Sequence, residues 1–197
     1  MIYINDDIEG LDLEKALEGV SPQRRDKALR FRFELDRRLS VAVYLLLCEG
    51  LEKEYGLTGL PEFVSGYHGK PALKDHPDIH FNLSHCPRAA LCVIDDAPVG
   101  CDVECVPSGL DMDVCRRCFN EEELAGIAGS DDPQLAFTRL WTRKEAFLKL
   151  TGEGLTDDLP ALFQSPQAQE IGFRTYVAAD RSYVYTVCQR MEKGLTL

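Results

Sequence analysis

Positive charge is what this sequence is short of. Its 197 residues carry 22 lysines and arginines against 33 aspartates and glutamates, a net charge of −11. A general nucleic-acid binder shows a basic footprint, so that class is excluded. Apolar runs are short as well, and none approaches the roughly 20 residues of a membrane-spanning helix, so no membrane partner is expected. The acidic N-terminus lacks a signal-peptide pattern, which makes the cytoplasm the expected compartment. The G-x-S-x-G elbow of serine hydrolases is missing. Ser84 and His85 stand side by side on an expected strand and point to opposite faces, which speaks against a nucleophile–base pair.

Cysteine, by contrast, is plentiful, with eight in the chain. A disulfide scaffold is not expected at this length without a secretion signal. Cys101, Cys105, Cys115 and Cys118 form a C-x3-C…C-x2-C series that would suit zinc, so a small zinc-stabilised interaction module is one reading. Two acids, Asp102 and Glu104, sit between the first two cysteines, and free, mostly buried thiols are the expectation. An apolar content of 45% with 28% charged residues is ordinary for a soluble globular protein. The length allows one large or two small domains with a substantial core.

The chain is organised around Leu140 to Leu150, a stretch with helical periodicity. Asp131-Asp132-Pro133 supplies a cap and a proline start, and Gly152 a stop. Leu140, Phe147, Leu148 and Leu150 provide apolar contacts, while Trp141, Glu145 and Leu148 share one face. Lys149 follows Glu145 by four residues and is near enough to act in the same place. A solvated Glu–Lys pair on an ordinary amphipathic helix would look the same locally.

Upstream lies an expected strand pair. Phe81 to His85 leads into an apolar run from Ala89 to Ile94, then a turn at residues 95–98, then Val99 to Glu104. Residues two apart on a strand face the same way, so Asp102 and Glu104 present two carboxylates on one face. Glu145 could bring a third from the helix. Uncompensated carboxylates repel, and a hard divalent cation such as Mg²⁺, which takes few protein carboxylates plus water and phosphate oxygens, would suit them. Alternating acids also occur on plain solvated strands.

Five blocks then fall in a fixed order across about half of the chain. They are Gly69-Lys70-Pro71, Phe81-Asn82-Leu83-Ser84-His85, Gly100-Cys101-Asp102-Val103-Glu104, Trp141 to Lys149, and Gly152-Glu153-Gly154-Leu155. Together they resemble the 4′-phosphopantetheinyl transferases, and most of all the surfactin-synthetase-activating type, a monomeric branch built from two similar halves. The resemblance implies transfer of the 4′-phosphopantetheine arm of coenzyme A to a serine of an apo acyl, peptidyl or aryl carrier protein. Adenosine 3′,5′-bisphosphate would leave. Mg²⁺, with Mn²⁺ as an alternative, would be held by Asp102, Glu104 and Glu145. Coenzyme A phosphates would meet Lys70, Ser84, His85, Lys144 and Lys149, with Lys149 also stabilising charge during transfer. Glu145 or Glu123 would take the serine proton. For Glu123 the local sequence offers a second reading, the acid of a capping box begun by Asn120. A catalytically weak coenzyme A or nucleotide binder of the same fold is the alternative from another class.

Residues 21–40 hold seven cations against three acids, a local +4 that suits a polyanion clamp as well as a solvated helix face. Many relatives place an arginine three residues after the acid matching Asp36. Here that position is Leu39, and Arg38 is expected to reach the 3′-phosphate in its stead; the alternative is that His85 and another cation hold it.

The fold expected is α+β, with two similar halves, residues 1–100 and 101–197, each a small antiparallel sheet packed against a long helix. In the first half a strand covers Met1 to Ile4, a helix starts at Ser21-Pro22, and a long helix runs from Asp36 to about Tyr55. Its buried stripe is Leu39, Val43, Leu46, Leu47 and Leu51. A strand from Glu62 to Tyr67 follows. In the second half, Cys115 to Phe119 is helical, and strands at about Ile171 to Ala178 and Tyr183 to Gln189 close the chain.

Overall fold

The computed structural model describes residues 1–66, 69–152, 154 and 158–191. Tyr67, Glu153 and Leu155, named above, lie outside the described residues. Contacts divide the chain into two compact units, Met1–Val99 and Gly100–Leu197. Among the described residues no helix is long and apolar enough to cross a membrane.

The first unit opens with strand β1 (Ile2–Asn5) and two short helices, α1 (Leu13–Glu18) and α2 (Pro22–Leu29). Ser21 caps α2 by accepting from the Arg24 N–H. The long helix α3 (Glu34–Tyr55) ends where Gly56 turns left-handed at φ 68°. A two-stranded ribbon, β2 (Phe63–Ser65) with β3 (Pro71–Leu73), precedes the hairpin of β4 (His80–Cys86) and β5 (Ala89–Asp95). The main sheet is antiparallel in the order β1-β5-β4.

Two apolar clusters share α3. Leu39, Val43, Leu46, Leu47 and Leu51 pack with Phe81, Cys92 and Ile94 of the sheet. Val41 and Tyr44, from the other side, pack with Ala28 of α2 and with Ala16 and Leu17 of α1. The helix is thus covered on both flanks, which the single stripe in its sequence does not reveal. Helix α1 was not legible either, because only Ala16 and Leu17 of its six residues are buried.

The second unit repeats the plan. Strand β6 (Val99–Cys105) enters it, followed by α4 (Met112–Cys118), α5 (Glu121–Ala128) and the long helix α6 (Pro133–Thr151). A 3-10 turn at Leu159–Gln164 and a short α7 (Pro166–Gln169) lead to the antiparallel hairpin of β7 (Ile171–Val177) and β8 (Tyr183–Arg190). The sheet order is β6-β8-β7. In each unit a strand, a long helix and a hairpin follow in turn, and the last strand takes the centre of the sheet. The fold is therefore α+β, as the sequence pattern implies.

Helix α6 starts with Asp132 accepting from the Leu135 N–H and stops at Gly152, with φ 74°. Ala146, Phe147 and Leu148 pack with Leu162, Ala168, Ile171 and Cys188. Phe147, Phe163 and Phe173 form an edge-on aromatic series. All eight cysteines are free and six are buried; Cys115 and Cys118 fill an apolar cluster with Phe119 and Ile127.

The contact that fixes α6 is at Gly100. A Cβ there would lie 2.1 Å from the Ala146 carbonyl oxygen and 2.7 Å from the Leu150 nitrogen. Both are backbone atoms and cannot swing aside, so the helix sits on β6 at a distance only glycine permits. Gly100→Ala should therefore push α6 away and cost the second unit about 1–3 kcal/mol, the usual cost of overpacking. Thermal melting reads this directly, and an unchanged Tm would mean that α6 has room to spare.

Candidate active site

Strand β6 and helix α6 cross with their polar faces together. Beyond Gly100, the same face of β6 carries Asp102 and then Glu104, two residues apart each time. On α6, Trp141, Glu145 and Lys149 recur every four residues and form one stripe. Lys149 Nζ donates to Asp102 Oδ1 at 2.6 Å, with Asp102 almost wholly buried and the lysine 31% exposed. The Trp141 indole hydrogen-bonds Glu104. Asp102, Glu104, Glu145 and Lys149 are therefore brought together, and Trp141 is a member the sequence placed on the right face without a partner.

The electrostatics show how crowded this face is. Burial raises the Glu104 carboxyl to about 7, helped by Asp102 and Glu145 and opposed by Lys149 and Trp141. Burial and Asp102 also raise Glu145, against the pull of Lys149. For Lys149, burial acts to lower its pKa, but Asp102, Cys101 and the hydrogen bond to Asp102 carry it upward. Two carboxyls that hold protons too tightly beside a third is what like charges in a poorly solvated place produce.

That donor set fits a hard divalent cation in its chemistry, since burial, and after it the charge of Asp102, raises Glu104 and Glu145, and a cation would offset both. As they stand, no three His, Cys, Asp or Glu among the described residues are arranged to hold a metal ion. The Lys149 ammonium takes one Asp102 oxygen and supplies part of the positive charge.

Two other residues of the same stretch are placed elsewhere. Lys144 has no exposed surface; its Nζ lies 2.9 Å from Glu123 Oε2 and donates to the Leu159 carbonyl at 2.7 Å. The rings of Phe119 and Phe163 lie 5.3 and 5.1 Å from that ammonium. Glu123 also accepts from the Asn120 N–H at 3.0 Å, completing a capping box on α5. The capping reading of Glu123 thus holds, and Lys144 is its buried counter-ion rather than a surface cation awaiting phosphate. Removing either partner would strand a buried charge at a cost of about 3–5 kcal/mol.

In the first unit, Ser84 and His85 occupy β4, the serine buried and the histidine exposed on the opposite face. Lys70 donates to the Val99 carbonyl at 3.1 Å from a turn that Gly69 makes with φ 80°. Arg38 is engaged by Glu34 at 2.7 Å and by the Glu9 carbonyl, while its buried Nε has no hydrogen-bond partner among the described residues. A cavity of about 290 Å³ does exist, lined by Ser21, Arg24, Lys27, Phe63 and Pro71 among others. Arg24 stacks on Tyr44 and Phe63 at 5.2 and 5.9 Å from their centroids and donates to the Ser40 carbonyl. Burial lowers the pKa of both Arg24 and Lys27, and the arginine's charge lowers the lysine's further. Among the described residues neither makes an ion pair. Their i, i+3 spacing beside the Ser21 cap was the available signal, and it was diluted by five other cations nearby.

Comparison with known proteins places these features. The sequence model of the 4′-phosphopantetheinyl transferase superfamily matches residues 98–189, which span β6, α6 and the closing hairpin. A 4′-phosphopantetheinyl transferase of Bacillus subtilis is 30% identical over 203 aligned residues, covering 95% of this chain and 89% of its own. The 4′-phosphopantetheinyl transferase Sfp of Bacillus subtilis (strain 168) is 29% identical over 158 residues, 79% of this chain and 70% of its own. The 4′-phosphopantetheinyl transferase AcpT of Salmonella typhimurium is 41% identical over 100 residues, 49% of this chain and 52% of its own. With a match of that identity along nearly its whole length, the chain belongs to the 4′-phosphopantetheinyl transferase superfamily.

Proposed function

We propose that this chain moves the 4′-phosphopantetheine arm of coenzyme A onto a serine hydroxyl of an apo carrier protein, with Mg²⁺ or Mn²⁺ held by Asp102, Glu104 and Glu145. Transfer to a carrier protein is the activity of the family to which the chain belongs. The observation that supports the metal and residue assignments is the Lys149–Asp102 ion pair where α6 crosses β6, with Glu104 and Glu145 near enough for the charge of Asp102 to act on both. The serine oxygen would form the new bond to the β-phosphate while the bond to the adenosine-side phosphate breaks, releasing adenosine 3′,5′-bisphosphate. A bound cation would supply positive charge to the diphosphate.

The chain's own residues divide the remaining work. Glu145, made more basic by burial and by Asp102, is the better candidate to accept the serine proton. Glu123 is held by Lys144 and by its cap, and serves to lock α5 against α6. Lys149 stabilises charge on the phosphates, where its raised pKa keeps it protonated. The 3′-phosphate is assigned to Arg24 and Lys27, whose cavity offers a helix start and two cations with no ion pair among the described residues, in place of Arg38. Action as a monomer in the cytoplasm belongs to the same reading, and light scattering at assay concentration checks the oligomeric part.

The test of the reading is the mass of an apo carrier protein after incubation with this protein, coenzyme A and Mg²⁺. Gain of one phosphopantetheine arm is expected, and Glu145→Gln, which keeps shape and removes charge, should slow it by about 10²-fold or more. No gain with any acyl or peptidyl carrier would sink the reading; wild-type speed in the variant would remove Glu145 from the chemistry.

The 3′-phosphate assignment has its own test. Arg24→Ala should weaken coenzyme A by about 10- to 100-fold, the loss of a charge-assisted bond of roughly 1.5–3 kcal/mol. The 3′-dephospho analogue should hardly respond, and Arg38→Ala should leave both ligands near wild type. Equal weakening of both ligands by Arg24→Ala would return the contact to another cation.

A further inference from the structure

Helix α6 rests on its sheet along two lines. On β6 the support is the backbone contact at Gly100; on β8 Cys188 shares an apolar cluster with Ala146, Phe147 and Leu148 of the helix, and a polar link stands beside it. Thr142 and Thr186 are both fully buried, and their hydroxyl oxygens lie 2.8 Å apart. Thr186 in turn meets the hydroxyl of Thr175 at 2.9 Å, its register partner on β7. Thr142 also donates to the Arg139 carbonyl at 3.2 Å.

Each hydroxyl can donate once and accept as well, so the three threonines form a connected series from the sheet to the Arg139 carbonyl of α6, in which either threonine of each pair can be the donor. Buried hydroxyls need partners, and a hydrogen bond across the helix–sheet contact weakens steeply when the helix rolls.

We propose that the Thr142–Thr186 hydrogen bond is a positioning device that fixes the roll of α6 and thereby the aim of Glu145 at Asp102 and Glu104. This inference rests on the transferase reading above. Glu145 follows Thr142 by three residues, about 60° away around the helix. At the roughly 5–6 Å radius of a helix with its side chains, a roll of about 10° moves a carboxylate by about 1 Å. A misplacement of that size can cost about 10²-fold in rate. Gly100 sets the height of α6 over β6 but presents no side chain to grip, and the packing of Ala146, Phe147 and Leu148 is non-directional, so the threonines supply the directional link that fixes the roll.

The experiment compares Thr142→Val, Thr142→Ser, Thr186→Val and the double valine variant in the full-length protein. Valine keeps the branched shape and removes the hydroxyl. Each valine variant should lower kcat by about fivefold or more while KM for coenzyme A stays within about twofold, and should raise the Mg²⁺ concentration for half-maximal rate. Thr142→Ser should restore wild-type values. Because both single changes cut one bond, the double variant should be no slower than the worse single. Trp141, the only tryptophan, precedes Thr142 and contacts Glu104, so its emission should shift in Thr142→Val and return in Thr142→Ser. A wild-type kcat in Thr142→Val, equal damage by serine and valine, or multiplying effects in the double variant would overturn the proposal. Should Thr142→Val not fold, Thr186→Val carries the same test from the sheet side. If the unmodified protein loads no carrier, the transferase reading fails, and the Trp141 emission still decides whether the threonine link sets the helix.

Discussion

Everything in the second unit depends on how closely α6 can lie on β6. Gly100 offers no side chain, and the Ala146 and Leu150 backbone fills the space where one would be. From that contact the strand and helix diverge slowly enough for Asp102 and Glu104 to face Glu145 and Lys149. Carboxyls held out of water beside one another are the consequence: burial, and after it the charge of Asp102, raises Glu104 and Glu145. The fold thus spends packing energy from the Phe147–Phe163–Phe173 series and its neighbours to hold an arrangement that is electrostatically unfavourable without a cation.

The pair Lys144–Glu123 plays a different part from the pair Lys149–Asp102, although the lysines are five residues apart on one helix. The first is sealed, ringed by Phe119 and Phe163, and ties α5 and the Leu159–Gln164 turn to α6. The second keeps part of its lysine exposed, which is what the proposed contact with a phosphate requires. Burial of the lysine separates the two pairs. The first unit shows the same division. Arg38 pairs with Glu34 and the Glu9 carbonyl, while Arg24 is stacked on Tyr44 and Phe63 and makes no ion pair among the described residues.

Local rules carried much of this. The Asp132 cap with Pro133, the Gly152 stop and the Asn120–Glu123 box mark helix ends through backbone hydrogen bonds a few residues long, so they can be read from a line of text. The two-residue period of β6 likewise placed Asp102 and Glu104 on one face. What the sequence withheld depends on residues far apart along the chain. Nothing near Lys144 announces that Phe119 and Phe163 will enclose it. Seven cations between residues 21 and 40 do not say which will be stacked and which will be paired. The Thr142–Thr186–Thr175 series joins a helix to two strands through ordinary threonines, and no spacing rule singles them out.

The claim at the centre is that the α6–β6 crossing is built to receive a divalent cation, and calorimetry of Mg²⁺ or Mn²⁺ uptake at pH 6 and pH 8 tests it most directly. With its carboxyl raised to about 7, Glu104 is mostly protonated at the lower pH and mostly ionised at the higher. Uptake of about one ion per chain is expected, tighter at pH 8, with close to one proton released per ion at pH 6 and almost none at pH 8. Glu104→Gln should lower the proton release, with any remainder coming from Glu145, which burial also raises. No uptake at either pH, or uptake equally strong at both with no proton released, would contradict the claim.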